Sequence, residues 1–128
     1  MHSSGTRALK VLIVDDSQQQ LDLTARQLRS FGFDVATSSG SFGVSNLVRQ
    51  FAPDVVLLDV EIPALSGDRL LTIARRHAAE GTRFVLFSAC DESRLRALAA
   101  EAQADGWISK SESADGLVAR LRALCRTN

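Results

Sequence analysis

The chain is poor in the residues that mark several specialised classes of protein. Its 128 residues include no tyrosine, two prolines and two cysteines. The cysteines, Cys90 and Cys125, lie far apart in the sequence and form no Cys-x-x-Cys or cysteine–histidine spacing, which argues against a zinc site or a redox motif. We therefore expect both thiols to be reduced and the protein to be cytoplasmic.

A charge excess of one sign and long hydrophobic runs are also lacking. Fifteen basic and fifteen acidic residues give a formal net charge of zero, so no overall field attracts nucleic acid or an anionic membrane. No apolar run approaches the roughly 18 residues that span a bilayer, and the N-terminus lacks the apolar segment of a signal peptide. We expect residues 1–7 to form a flexible leader and residues 8–126 to form a single domain.

Five short apolar segments alternate with five stretches in which apolar residues recur at helical spacing. This alternation predicts an α/β fold in which helices cover both faces of a parallel sheet. The helices are expected to begin near Ser17, Ser41, Gly67, Asp91 and Ser113. The predicted strands are Leu9–Val14, Phe33–Thr37, Asp54–Leu58, Arg83–Phe87 and Gly106–Ser109.

Polar residues follow four of these apolar segments directly. Because the carboxyl ends of parallel strands meet at one edge of a sheet, where ligands bind, we expect these side chains to lie close together. Asp59 is the most informative of them, since it follows the central and most apolar segment. The residues concerned are Asp15, Asp16, Asp59, Ser88 and Lys110.

The three aspartates of this group suggest a metal site. Carboxylates that lie close together repel one another and stay ionised only beside a cation. Mg2+ prefers oxygen ligands and typically takes one or two carboxylates together with water and phosphate oxygens, so Asp15 and Asp16 would hold it and leave Asp59 free as a nucleophile. A phosphoryl group on Asp59 would need a second cation and a hydroxyl donor, which Lys110 and Ser88 can supply.

Four short motifs in the chain carry a resemblance to a known family. They are Asp15-Asp16, Asp59 with Ile62-Pro63 and Gly67 behind it, Ser88-Ala89, and Trp107-Ile108-Ser109-Lys110. In these motifs and their spacing, residues 9–125 resemble the receiver domains of two-component response regulators, in particular stand-alone, chemotaxis-regulator-like receivers. The resemblance implies a flavodoxin-like (βα)5 doubly wound fold with a five-stranded parallel sheet of order 2-1-3-4-5.

The resemblance also implies a chemistry for the polar residues. Asp59 would take a phosphoryl group from a histidine kinase or a histidine phosphotransfer protein. Mg2+ would be held by Asp15, Asp16, Asp59 and the backbone carbonyl of Glu61, and Lys110 would pair with the phosphate. Such a receiver catalyses only its own phosphorylation and dephosphorylation, so we expect no further enzymatic activity.

Two residues would pass the signal on if the resemblance holds. Ser88 would be the switch hydroxyl and Trp107 the switch aromatic. We expect a downstream protein target on the face formed by the fourth helix, the fifth strand and the fifth helix, in a monomer or a phosphorylation-promoted dimer. No nucleic-acid or membrane partner is expected.

The chain departs from the family pattern at three positions. Ser111 follows Lys110 where the family usually has a proline in a cis turn. Trp107 stands where tyrosine or phenylalanine is usual. Glu61 adds a carboxylate near the path of an attacking water, which would alter autodephosphorylation.

Two alternative functions remain open from the sequence. A Mg2+-dependent phosphohydrolase with an aspartyl nucleophile uses similar residues, but it expects a second aspartate two residues after the nucleophile, where this chain has Glu61. A receiver-like binding module that works without phosphorylation is the other, although the intact acid and lysine positions argue against it.

Overall fold

The computed structural model describes residues 7–40, 43–60 and 67–125, without the side chains of residues 67–70 and 73. Within these ranges, five strands alternate with five helices. The strands are β1 (Lys10–Val14), β2 (Asp34–Ser38), β3 (Val55–Leu58), β4 (Arg83–Ser88) and β5 (Gly106–Ser109). The helices are α1 (Gln18–Ser30), α2 (Val44–Phe51), α3 (Gly67–His77), α4 (Glu92–Ala102) and α5 (Ala114–Cys125).

The strands form one parallel sheet of order β2-β1-β3-β4-β5. This order confirms the predicted flavodoxin-like topology. The chain reverses its direction of winding between β1 and β3, and in open sheets of this kind the crevice beyond the carboxyl ends of such strands is the ligand site. The fold therefore directs attention to the residues that follow Val14 and Leu58.

Alternate residues of β1 show how the core is divided between the two faces of the sheet. Val11 and Ile13 belong to a cluster that includes buried residues of α1 and α5, whereas Leu12 and Val14 belong to a cluster with buried residues of α2, α3 and α4. All four side chains are buried. Burial on both faces explains why the strands read as continuous apolar runs rather than as alternating patterns.

Polar side chains cap the N-termini of two helices. The hydroxyl of Ser17 accepts a hydrogen bond from the backbone N–H of Gln20, and the carboxylate of Asp91 accepts one from the backbone N–H of Arg94. Both residues occupy the N-cap position, where such bonds satisfy free N–H groups of the first turn. The predicted starts of α1 and α4 are thereby confirmed.

The start of α2 was predicted too early in the chain. Ser41 lies outside the described residues, and the helix begins at Val44. Gly43 precedes it with a φ of 80°, a left-handed backbone conformation that does not continue a right-handed helix.

Among the described helices, none has the length and apolar character needed to cross a membrane.

Candidate functional site

Asp15 and Asp59 lie side by side at the carboxyl end of the sheet. Their neighbours Val14 and Leu58 are register partners in the parallel pair of β1 and β3. The backbone N–H of Asp59 donates to the carbonyl of Val14 at 3.0 Å, which extends this pairing by one residue. Both aspartates are almost fully buried, with exposed fractions of 2% for Asp15 and 5% for Asp59.

Asp16 completes a cluster of three carboxylates. One carboxylate oxygen from each of Asp15, Asp16 and Asp59 lies within 4.8 Å of the others, and Asp16 is exposed while the other two are buried. A set of oxygen donors with one side open to water fits Mg2+, which binds carboxylates and retains several waters, better than it fits Zn2+. The chemistry of the donors thus agrees with the predicted metal.

The carboxylate of Asp15 is oriented by its own loop. Its Oδ1 atom accepts a hydrogen bond of 3.0 Å from the backbone N–H of Ser17, and its backbone N–H donates to the carbonyl of Ser38 at 3.1 Å. These contacts leave Oδ2 facing Lys110. Asp15 is therefore held rigidly, whereas Asp16 presents its carboxylate to solvent.

Lys110 reaches this cluster from the turn after β5. Its Nζ atom lies 2.5 Å from Oδ2 of Asp15 and 3.0 Å from Oδ2 of Asp59. Burial works to lower the pKa of Lys110, but the hydrogen bonds and negative charges of the two aspartates outweigh it and raise the pKa above its ordinary value. The side chain therefore carries a full positive charge between the two buried carboxylates.

Ser88 lies at the same edge of the sheet, and its hydroxyl is hydrogen-bonded to the backbone of the loop that follows β4. It is fully buried as the last residue of β4, and its register partner in β5 is Ser109. Its hydroxyl accepts a hydrogen bond of 3.3 Å from the backbone N–H of Cys90. The hydroxyl is thus held within the loop that follows β4.

Trp107 lies in β5 on the face formed by α4, β5 and α5. Its ring is half-buried, and the guanidinium groups of Arg96 and Arg120 each lie 5.6 Å from the ring centroid. Arg120 also forms a salt bridge of 3.2 Å with Glu112. These contacts of Arg96 and Arg120 could not be identified from the sequence, because hydrophobic spacing carries no information about cation–π contacts between elements.

Other predictions about the site have different outcomes. Glu61 lies outside the described residues, so the predicted metal-binding carbonyl stays a prediction. The loop after Lys110 does differ from the family's usual cis turn, since the described residues include no cis peptide bond. Ser109 and Ser111 take part in hydrogen bonds within this loop, a feature that the sequence analysis did not identify.

Comparison with known protein families gives a match over most of the chain. Residues 11–122 match the family described as "Response regulator receiver domain". The chain is 32% identical over 123 residues to the DNA-binding response regulator MtrA of Mycobacterium tuberculosis, which covers 96% of this chain and 53% of MtrA. It is 33% identical over 118 residues to the transcriptional regulatory protein KdpE of the same organism, covering 92% of this chain and 51% of KdpE. The chain thus spans about half the length of these relatives.

Solved structures show the same architecture. The BeF3-activated N-terminal receiver domain of RstA from Klebsiella pneumoniae superimposes with a TM-score of 0.82 at 27% identity, covering 92% of this chain and 99% of that one. The chemotaxis response regulator CheY4 of Vibrio cholerae has a TM-score of 0.80 at 21% identity, covering 91% and 98%. At the latter identity the similarity shows the fold alone.

Proposed function

The chain belongs to the response regulator receiver domain family, and we propose that Asp59 is the residue that accepts the phosphoryl group. A receiver of this family is a signalling switch controlled by phosphorylation. The observation that supports Asp59 is its position: a buried carboxylate at the end of the central strand, 3.0 Å from the ammonium group of Lys110. Asp15 is also buried beside Lys110, but its Oδ1 atom already accepts a hydrogen bond from the N–H of Ser17, and it follows β1 rather than the central strand β3.

The proposed reaction is an in-line transfer from a phosphohistidine. A carboxylate oxygen of Asp59 forms a bond to phosphorus while the phosphorus–nitrogen bond to the histidine breaks, and the imidazole leaves with the electron pair of that bond. Lys110 offsets the negative charge of the phosphoryl oxygens. The donor is a histidine kinase or a histidine phosphotransfer protein.

Magnesium is the proposed cofactor. Bound Mg2+ supplies positive charge that stabilises the phosphoryl oxygens during transfer. Asp16 and Asp15 would hold it, together with Asp59 and the backbone carbonyl of Glu61. The exposed carboxylate of Asp16 is the most accessible of the three carboxylates, because Asp15 and Asp59 are buried and Lys110 and the N–H of Ser17 already occupy the carboxylate of Asp15.

The proposed output is a contact with a downstream protein on the face formed by α4, β5 and α5. Ser88 ends β4, whose loop leads into α4, and Lys110 follows β5, so both proposed phosphate contacts connect directly to this face. Trp107 lies on it, in contact with the guanidinium groups of two arginines. We assign to residues 8–126 a cytoplasmic switching role as a monomer or phosphorylation-promoted dimer. We assign them no DNA contact, although MtrA is named a DNA-binding regulator.

The two alternative functions are less well supported. The family match does not favour a phosphohydrolase, and Asp59 has no aspartate two residues after it. A module independent of phosphorylation would have no need for a buried lysine that bridges two acids. Apolar residues of similar volume often stabilise a protein at least as well as a buried ion pair does, so the presence of this pair argues for a functional role.

Incubation with acetyl phosphate and Mg2+, followed by intact-mass spectrometry, tests the assignment of Asp59. We expect the parent protein to gain one phosphoryl group and Asp59→Asn to gain none. Asp54→Asn is a matched control, because Asp54 precedes β3 while Asp59 follows it, and this variant should be phosphorylated like the parent. Undiminished phosphorylation of Asp59→Asn would contradict the proposal.

A further inference from the structure

The segment after β5 forms a tight turn around Lys110. The carbonyl of Ser109 accepts a hydrogen bond of 3.1 Å from the backbone N–H of Glu112, which places Lys110 and Ser111 at the two central positions of a β-turn. The backbone N–H of Lys110 also donates to the carbonyl of Ser88 at 2.9 Å. The main chain of Lys110 is therefore anchored to β4 on one side and enclosed by the turn on the other.

Two serine hydroxyls hold this turn from within. The Oγ atom of Ser109 accepts a hydrogen bond of 3.1 Å from the backbone N–H of Ser111, and it lies 2.8 Å from the Oγ atom of Ser111. Ser109 is buried, with 8% of its surface exposed. Serine hydroxyls commonly stabilise turns by bonding to the backbone two residues ahead, and here the second hydroxyl adds a further contact.

A proline after Lys110 is incompatible with both of these contacts. Proline has neither a backbone N–H to donate to Ser109 nor a hydroxyl to pair with it. Substitution by proline would leave the buried hydroxyl of Ser109 without the two partners that it has in the structure. The serine pair thus holds a turn without a cis peptide bond, and the residue at position 111 matters for the conformation of Lys110.

The conformation of this turn decides where the ammonium group of Lys110 lies. Lysine has a flexible four-carbon side chain, and holding its Nζ atom at one place costs rotamer entropy. In this structure Nζ contacts both Asp15 and Asp59 and the side chain is only 12% exposed. A displaced main chain would carry Nζ with it and lengthen one or both of these contacts.

We propose that Ser109 and Ser111 are positioning residues, whose hydroxyl pair fixes the turn that aims Lys110 at Asp59. This proposal rests on the proposed function, because it assumes that the ammonium group of Lys110 meets a phosphoryl group on Asp59. The hydrogen bonds that the two side chains form lie within the turn. Their effect on phosphoryl transfer passes through Lys110.

Ser113 offers a matched control for a purely structural effect. Its hydroxyl accepts a hydrogen bond of 3.1 Å from the backbone N–H of Gly116, at the start of α5 and in the same loop. Ser113→Ala therefore removes one serine–backbone bond without touching the turn at Lys110. Ser109→Thr retains a hydroxyl at the position where Ser109→Ala removes it.

The first experiment compares these variants in phosphorylation by acetyl phosphate with Mg2+. We expect Ser109→Ala to slow the rate by about threefold to tenfold, as expected for the loss of one or two buried hydrogen bonds, while Ser109→Thr and Ser113→Ala stay near the parent rate. In a Lys110→Ala background, Ser109→Ala should cause no further slowing. An equal slowing in that background, or an equal effect of Ser113→Ala, would overturn the proposal.

A second experiment observes Lys110 without phosphorylation. In protein labelled with 15N-lysine, the ammonium group of Lys110 should give a signal that exchanges slowly with water, assigned by its loss in Lys110→Ala. Ser109→Ala should broaden or shift this signal, and Ser109→Thr should restore it. If the signal changes in this way but the parent protein is not phosphorylated, the proposed function fails and the positioning role stands. An unchanged signal in Ser109→Ala would refute the positioning role whatever the phosphorylation result.

Discussion

The Nζ atom of Lys110 lies 3.0 Å from Oδ2 of Asp59, in a region where both side chains are shielded from water. The exposed fractions of the side chains alone are 12% for Lys110 and 6% for Asp59. Removing one partner of a buried ion pair leaves the other charge uncompensated, which is strongly destabilising. Asp15 shares the same ammonium group, which makes Lys110 the counter-ion of two buried acids.

The first prediction is that Lys110→Met tightens Mg2+ binding. The ammonium group repels a divalent cation and occupies oxygen atoms of Asp15 and Asp59 that could otherwise bind it. We expect an affinity gain of about fivefold to tenfold, or on the order of 1 kcal/mol, measured by isothermal titration calorimetry. Lys10→Met is the control, because Nζ of Lys10 donates to the carbonyl of Phe51 at a distance of 3.1 Å, away from the cluster. Equal affinities for the parent and Lys110→Met would refute the prediction.

The second prediction is that Asp16→Ala weakens Mg2+ binding with little loss of stability. Asp16 supplies an exposed carboxylate within 4.8 Å of the two buried ones, so its loss removes a ligand but opens no cavity. We expect at least about a tenfold loss of affinity, because losing even an outer-shell partner of a metal ligand typically costs about 10- to 100-fold. Phosphorylation by acetyl phosphate should slow in parallel.

Asp22→Ala separates this effect from a general change in surface charge. Asp22 is an exposed acid of α1 whose carboxylate accepts a hydrogen bond of 2.9 Å from the side chain of Gln18. This variant should bind Mg2+ like the parent. If Asp16→Ala also bound Mg2+ and became phosphorylated at the parent rate, Asp16 would not be a metal ligand.

The alternation of apolar segments was enough to predict the layers of the fold. Leu21, Ala25 and Leu28 recur in the sequence at the spacing of one helix face, and all three are buried in α1. A 3.6-residue period identifies the buried face whatever the helix packs against, so this prediction needs no tertiary information. The start of α2 was predicted wrongly because the left-handed conformation of Gly43 leaves no trace in a hydrophobic pattern.

The candidate site was predictable in its members but not in its contacts. Parallel strands bring their last residues to one edge, which is why Asp15, Asp59 and Lys110 could be grouped from sequence alone. The positions of Arg96 and Arg120 about Trp107 could not be derived in this way. Such contacts depend on how two helices pack beside one strand, which the hydrophobic period of either helix does not predict.

The third prediction concerns Asp54, at the opposite end of β3 from Asp59. Burial works to raise the pKa of Asp54, but the hydrogen bond from Arg7, the backbone N–H of Lys10 and the charges of both residues outweigh it. The pKa is therefore held below its ordinary value of 3.8. The ionised carboxylate stabilises the folded state above that value, and this contribution is lost as the pH falls through the lower, folded-state pKa.

Urea unfolding of Asp54→Asn at several pH values checks this prediction. We expect the variant to be less stable than the parent at pH 7 by only about 1 kcal/mol. The loss is small because Arg7 is largely exposed, so that water and salt screen its salt bridge with Asp54. The difference should shrink as the pH falls below the ordinary value of 3.8. Asp34→Asn, at an exposed position in β2, is the control. A stability difference that does not change with pH would mean that the charge of Asp54 has no part in it.

The fourth prediction is that Trp107 reports the activation of the receiver. Phosphate on Asp59 is expected to draw the hydroxyl of Ser88 toward it, away from the N–H of Cys90, and to open space beneath α4 that the indole ring can enter. Such a movement would separate the ring from Arg96 and Arg120. Beryllofluoride with Mg2+, which mimics the acyl phosphate, should therefore shift the emission of Trp107 and protect it from quenching. Acrylamide is the suitable quencher, because two arginines beside the ring would concentrate an anion such as iodide.

The extent of the Trp107 shift distinguishes a complete switch from a partial one. Moving the active population from one to ninety-nine per cent needs about 5.5 kcal/mol, whereas one hydrogen bond to a charged group contributes roughly 1.5 to 3 kcal/mol. Ser88 alone is thus insufficient, and the contacts of Lys110 and the repacking of Trp107 must supply the remainder.

Loss of the cation–π contacts opposes the movement, so Arg96→Ala should enlarge the beryllofluoride response while Ser88→Ala reduces it. Arg94→Ala, at another exposed position of α4, should leave the response unchanged. An unaltered emission spectrum, with beryllofluoride binding confirmed by calorimetry, would show that Trp107 is a fixed packing residue and that the signal leaves the site by another route.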